Sequence, residues 1–271
     1  MKSTLGWSWC AAFGSILLLA GAARAAIKTE TVTYKEGQVE AQSFLAYDDS
    51  ATGRRPGVLV VPEWWGLNDY PKMRARMLAQ LGYVAMAVDV YGEGETTADP
   101  KQAEKWVAPL EAGDRAELRA RINAALAKLK SDPHVDPART AAIGYCFGGA
   151  TVLELARSGA AVNGVVSFHG HYDTGAPARP GAVKARILVC HGADDPFTSQ
   201  AQIAALEGEM RKARADWQFN IYGGAEHSFT NPNADAYHVA GIAYDAEADH
   251  RSWQAMKDFF REIFRQAPLP K

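Results

Sequence analysis

Cysteine is scarce: the 271-residue chain holds three, Cys10, Cys146 and Cys190, and none is spaced as C-x-x-C. That excludes a disulfide-stapled scaffold and removes the local pairing used by dithiol redox motifs and cysteine zinc sites. An excess of one charge sign is also missing, with 29 Lys+Arg against 31 Asp+Glu, so there is no basic field to hold nucleic acid. The apolar stretch near the N-terminus, "AAFGSILLLAGAA", is too short to span a bilayer comfortably. Internal repeats, low-complexity blocks and long linkers are absent as well, which makes one domain over residues 26–271 the economical expectation.

What is present begins with a leader. Lys2 gives a positive start, the apolar stretch follows, and Ala23-Arg24-Ala25 reads as an A-x-A cleavage site. Residues 1–25 are therefore expected to be a secretory signal peptide cleaved before Ala26. The mature protein would be periplasmic or secreted, mildly acidic, and without stable membrane association. Cys10 would leave with the leader. Cys146 and Cys190 would remain, either as free thiols or as one disulfide, and Cys190 in "RILVCHG" reads as a buried residue near a strand end.

Behind the leader, "TETVTYK" and "VEAQSFLAY" alternate and are separated by Glu36-Gly37, predicting two antiparallel strands at a sheet edge. The pattern then changes to short continuous apolar runs: "GVLVVPE", "YVAMAVDVYG", "RTAAIGYC", "AVNGVVSF", "RILVCHG" and "WQFNIYG". Such runs fit strands covered on both faces. Helical segments lie between them. One places Tyr70, Met73, Met77 and Leu81 on a face; another starts at Asp99-Pro100; "RAELRARINAALAKLK" continues helical, with Leu118, Ile122, Ala125 and Leu129 aligned. Further helices are expected from about Gly149 to Arg157, over "TSQAQIAALEGEMRKA" and over "AEADHRSWQAMKDFFREIF". Strands alternating with helices imply an α/β fold with a mostly parallel sheet, helices on both faces and an antiparallel N-terminal edge. Sites in such folds sit at the carboxyl ends of the strands.

Three of those ends carry chemistry. Gly144-Tyr145-Cys146-Phe147-Gly148 is a G-x-C-x-G at a strand-to-helix junction, a turn that lifts its central side chain above the sheet at a helix N-terminus. "CHGADDPFTS" offers Asp194 or Asp195 as a carboxylate to orient a histidine; either could equally be a turn or cap residue. "YGGAEHSFTNP" puts His227 in a loop after another strand. Nucleophile, acid and histidine thus occur in the chain order of α/β-hydrolases.

With "VLVVPEWWGLN", "GYCFGG", "CHGADDPF", "YGGAEHSF" and "AYDAEADHRSWQAMKDFF" in hand, the chain resembles the dienelactone hydrolase family of α/β-hydrolases over nearly all of its mature length. The resemblance implies the α/β-hydrolase fold and a Cys146–His227–Asp195 triad, with Asp195 rather than Asp194 as the acid. It also implies a Glu63 that lies against the nucleophile and governs the protonation of its thiol, and an oxyanion hole from the backbone amides of Trp64 and Phe147. The implied activity is hydrolysis of a small-molecule carboxylic ester or lactone without a cofactor.

The departures point away from the anionic dienelactone itself. Where the dienelactone-cleaving members place arginines to hold a carboxylate, this chain reads "VDVYGEGETT", with Glu93 and Glu95, and Thr230-Asn231. Trp64, Trp65 and Phe147 read instead as an apolar pocket wall. His169 and His171 in "FHGHYD" are spaced as a metal pair but lack a third ligand in sequence, so no metal is expected. Asp89 is expected to serve loop backbone groups. The alternative to an enzyme is a small-molecule-binding protein on a hydrolase scaffold. Nothing in the sequence fixes the oligomeric state.

Overall fold

The structure, a computed structural model, describes residues 26–265. The expected signal peptide and Cys10 lie outside the described residues.

Ile27–Glu36 (β1) and Val39–Asp48 (β2) form a hairpin that turns at Gly37, whose φ of 57° suits a residue without a Cβ. β2 runs antiparallel to Val84–Ala87 (β4), and from there the sheet is parallel. Arg55–Val61 (β3), Val135–Tyr145 (β5), Gly164–Phe168 (β6), Arg186–Gly192 (β7) and Trp217–Tyr222 (β8) complete it. The spatial order is β1-β2-β4-β3-β5-β6-β7-β8, the α/β-hydrolase arrangement with its antiparallel edge.

Because successive side chains of a strand face opposite ways, each central strand feeds two cores. Leu59 and Val61 of β3 pack with Leu118, Ile122 and Leu129 of Ala116–Lys130 (α3), Val152 and Leu155 of Phe147–Arg157 (α4), and Ile203 and Leu206 of Gln200–Ala213 (α5). Val58 and Val60 face the other way, toward Leu78 of Asp69–Gln80 (α1) and Met256 and Phe260 of Ala246–Ile263 (α6). Pro100–Glu111 (α2) buries only Ala103 and Leu110, so it lies against the body rather than within it. Its start is conventional: Asp99 caps it and Pro100 takes the first position, where no N–H is needed.

Three helix expectations are corrected. The buried face of α1 is Tyr70, Arg74, Ala75 and Leu78, while Met73 and Met77 are half-buried and Leu81 is exposed. Arg74 is drawn inside because Asp249, the Thr230 carbonyl and the rings of Tyr70, Tyr145 and Trp253 receive its guanidinium. Helicity does not run from α2 into α3, since Arg115 adopts a left-handed φ of 58° between them. Finally, α4 starts at Phe147, directly after Cys146, because the turn into it is a single residue.

Candidate active site

The nucleophile turn is built by close approach. Cys146 has φ 55° and ψ −118°, a region an L-residue enters only when its surroundings hold it there. A Cβ on Gly144 would stand 1.9 Å from the Gly148 carbonyl oxygen, and one on Gly148 would stand 2.3 Å from that of Val61. Both flanks therefore have to be glycine. The Cys146 amide donates to the Phe168 carbonyl at 3.1 Å and to His169 Nδ1 at 3.1 Å, which ties the turn to the end of β6.

His169 is fully buried and itself strained, with φ 38°. Its Nδ1 accepts from an amide, so its proton sits on Nε2, which donates to Thr230 Oγ1 at 2.7 Å. Burial, together with the charge of His227, holds this imidazole well below its ordinary range, neutral. Thr230 Oγ1 lies 2.6 Å from the Tyr70 hydroxyl, and Arg74 donates to the Thr230 carbonyl at 2.6 Å and to Asp249 at 2.6 Å. A continuous polar chain thus connects the Cys146 backbone with the loop that carries His227 and with α1 and α6.

That loop follows β8. His227 is buried, and its Nδ1 lies 2.8 Å from Asp195 Oδ2. Asp195 Oδ1 accepts from the Phe197 amide at 2.9 Å, which fixes the carboxylate. Asp194 is exposed and uses its amide on the Ala225 carbonyl. The structure therefore brings Asp195 to the histidine and leaves Asp194 in solvent. Burial opposes a charge on His227, but the Cys146 charge and hydrogen bonds to Asp195 and Cys146 outweigh it and push the imidazole up to about 10.

Glu63 is almost completely buried beyond the end of β3. Ser228 Oγ donates to its Oε1 at 2.6 Å and Asn231 Nδ2 to its Oε2 at 2.7 Å. Both recorded partners belong to the histidine loop, and Ser228 carries a third strained backbone, φ 56°. Burial pushes the Glu63 carboxyl up from its ordinary range, against the pull of those two hydrogen bonds. Ser228 and Asn231 as partners of Glu63 were missed in the sequence; "EHSFTN" marks them only as polar loop residues.

Of the two amides expected to form the oxyanion hole, that of Phe147 follows the nucleophile directly, and Trp64 lines the same cleft as Cys146. Phe147 begins α4, so its N–H has no partner inside the helix. The Trp64 amide has no backbone acceptor among the described residues, while its carbonyl is pinned by the Tyr91 hydroxyl at 2.9 Å. Free donors beside a nucleophile can stabilise an oxyanion.

Cys146 opens into two lobes. The larger, about 360 Å³, is lined by Trp64, Phe147 and His171 together with Glu104, Val107 and Glu111 of α2. The smaller, about 170 Å³, is nearly all apolar, with Phe197, Val239 and Ile242 around Cys146 and His227. Trp65 is not a wall of either lobe; it is buried and stacks on Tyr237 at 4.2 Å. Glu93 and Glu95 line a separate cavity with Val39, Glu40 and Tyr91, so they do not face the Cys146 cleft. The carboxylates that do, Glu104 and Glu111 of α2, were not among the candidates the sequence offered.

Among the described residues no group of three His, Cys, Asp or Glu side chains is placed to hold a metal ion. His169 spends both ring nitrogens as described, and His171 pairs with Glu111 at 2.7 Å and Asp173 at 3.0 Å. Asp89 accepts from the amides of Gln42, Gly92 and Gly94. Cys146 and Cys190 are both free; burial pushes the Cys190 thiol up to about 12, which leaves it unreactive. No helix among the described residues is long and apolar enough to cross a membrane.

A hydrolase-type sheet bearing a thiol, an imidazole and a carboxylate in one cleft defines the class as α/β-hydrolase. The sequence profile of the dienelactone hydrolase family matches residues 42–264, and the chain belongs to that family of carboxylic-ester and lactone hydrolases. It is similar to a solved structure called m3DLH, at 46% identity and TM-score 0.84, over 89% of this chain and 100% of that one. It is also similar to a dienelactone hydrolase-like promiscuous phosphotriesterase, P91, from metagenomic libraries, at 41% identity and TM-score 0.83, with 89% and 100% covered. A curated relative from Bradyrhizobium sp, described as a probable 2-oxo-3-(5-oxofuran-2-ylidene)propanoate lactonase, is 31% identical over 72% of this chain and 83% of its own.

Proposed function

We propose that the protein hydrolyses a small carboxylic ester or lactone with Cys146 as nucleophile. The observation that carries this reading is the buried His227–Asp195 pair sharing a cleft with a cysteine held on a strained, glycine-flanked turn. His227, whose imidazole is pushed up to about 10, takes the proton of the Cys146 thiol as the reaction begins. Sγ attacks the carbonyl carbon, and the oxygen that becomes anionic is met by the Phe147 and Trp64 amides. His227 gives its proton to the departing alkoxide, leaving a thioester on Cys146. A water then loses a proton to His227 and attacks that thioester, releasing the acid and restoring the thiolate–imidazolium pair. Asp195 orients the ring throughout and stabilises its charge. No cofactor enters these steps.

Cys146→Ala is expected to abolish turnover of p-nitrophenyl esters while circular dichroism stays unchanged; full activity in that variant would overturn the assignment. A second reading, hydrolysis of a neutral phosphotriester, is favoured by the 41% identity to a protein described with that activity. Cys146-dependent cleavage of a neutral aryl dialkyl phosphate would support it, and none would dismiss it. We also propose export through the residue 1–25 leader. N-terminal sequencing of the mature protein should start at Ala26; retention of Met1 would count against export by cleavage.

A further inference from the structure

The larger lobe beside Cys146 has an unusual wall for a site that meets carbonyl compounds. Its charged lining consists of Glu104, Glu111 and His171. Apart from the catalytic His227, His171 is the sole cationic side chain among the residues lining the two lobes, and neither of its ring nitrogens is available to a substrate. Nε2 faces Glu111 at 2.7 Å and Nδ1 faces Asp173 at 3.0 Å. Asp173 is held in turn by Arg115 at 3.0 Å, which also pairs with the buried Glu154 of α4. The imidazole is thus clamped as part of the wall. Glu104, about two turns before Glu111 on α2, lines the same lobe, is exposed, and has no ion pair among the described residues. The other lobe shares Trp64, Cys146 and the clamped His171, and adds Phe197, Val239, Ile242 and the catalytic His227, with no carboxylate in its lining.

A substrate carboxylate placed in either lobe would therefore meet an unpaired carboxylate or an apolar surface, and would find no unpaired cationic side chain to replace its lost water. We propose that this wall makes the cleft selective for uncharged and cationic esters over esters bearing a carboxylate, with Glu104 as the specificity-determining residue. The inference rests on the reading of Cys146 as the nucleophile. It does not depend on which lobe receives the acyl group, because the imidazoles of both lobes, His171 and His227, are already paired with carboxylates. Like-charge opposition acts on encounter as well as on the bound state, so the discrimination weakens as salt screens it.

The test uses three p-nitrophenyl esters of matched chain length: a butyrate, one ending in a carboxylate and one ending in a trimethylammonium group. At low ionic strength the wild type should show kcat/KM at least about tenfold lower for the carboxylate ester than for the butyrate. The ammonium ester should equal or exceed the butyrate. Glu104→Gln should narrow the gap and Glu104→Lys should close or invert it; position 104 is on an exposed helix face, so neither change threatens the fold. Equal or better use of the carboxylate ester by the wild type would overturn the inference, as would ratios untouched by both substitutions. Loss of all Cys146-dependent turnover is a different result: it would remove the hydrolase reading itself, and the inference with it.

Discussion

At the scale of single residues, the site depends on three backbones held at positive φ: Cys146, His169 and Ser228. Each is pinned by a bond that would be lost if the strain relaxed, namely Cys146 N–H to His169, His169 Nε2–H to Thr230, and Ser228 O–H to Glu63. His169 is thus a positioning residue that acts through the Cys146 backbone. His169→Ala should leave KM nearly unchanged and lower kcat by about ten- to a hundredfold, the scale expected when a reacting atom is misplaced by an ångström. His169→Asn can still accept from the amide and should recover part of that loss. An unaltered kcat in both variants would show that the turn holds itself. The sequence made Cys146, Asp195 and His227 legible because each sits in a short loop after an apolar strand, in hydrolase order. It could not show where Glu63 points, since its partners Ser228 and Asn231 lie more than 160 positions away.

At the scale of elements, α4 carries the elbow and is fixed by an ion cluster rather than by apolar packing alone. Glu154 is fully buried and receives Arg115, Arg119 and Arg157, and Arg157 reaches on to Glu209 of α5 and the Tyr172 carbonyl. Removing this buried acid leaves Arg119 without a carboxylate and the buried Arg115 and Arg157 with one each, so Glu154→Gln should destabilise the fold by about 3–5 kcal/mol. Denaturant melts would measure it, and a loss well under 1 kcal/mol would show the cluster to be solvated. The cluster also holds Asp173 through Arg115, and so the His171 wall; the same variant should loosen ester discrimination before it loses activity. None of this was readable from periodicity. "FGGATVLELAR" looks like an apolar helix with a surface glutamate, and Arg74 looks like a surface arginine on α1. Both charges are inside because partners from distant elements receive them, and apolar patterns count only the residues of one segment. Between α2 and α3, Gly113 and Arg115 both stand at a φ of 58°, and the Arg115 side chain reaches Glu154 and Asp173.

At the scale of the whole molecule, the strand runs and the chain order of the loops were enough to give the parallel sheet, its antiparallel edge and the end where chemistry occurs, because buried strands advertise themselves as short apolar stretches. Cavity walls were not readable, since a lobe between α2 and the β6 loop joins residues about 60 positions apart whose meeting depends on the full crossover. The same wall sets a pH dependence of stability. Burial opposes a charge on His171, but Asp173 and Glu111 raise it to about 9. A raised folded-state value means its stabilisation is complete below about pH 6.5, the ordinary histidine value, and is lost as pH rises through about 9. Asp173 works at the other end. The His171 hydrogen bond holds its carboxyl well below the usual range, so its contribution is present above about pH 4 and lost on further acidification. Thermal melts should therefore decline between about pH 7 and 9, by no more than about 1.4 kcal/mol per pH unit from this residue, and His171→Gln should flatten that limb. An identical limb in the variant would mean other groups carry it.

The central claim, a covalent intermediate on Cys146, is open to one direct measurement. The mature protein is mixed with a p-nitrophenyl ester, quenched in acid within the first turnover, and digested for mass spectrometry. The peptide containing Cys146 should gain the mass of the acyl group, the adduct should disappear as substrate is consumed, and Cys146→Ala should show neither adduct nor turnover. Steady hydrolysis with an unmodified Cys146 peptide, equally fast in Cys146→Ala, would contradict that claim.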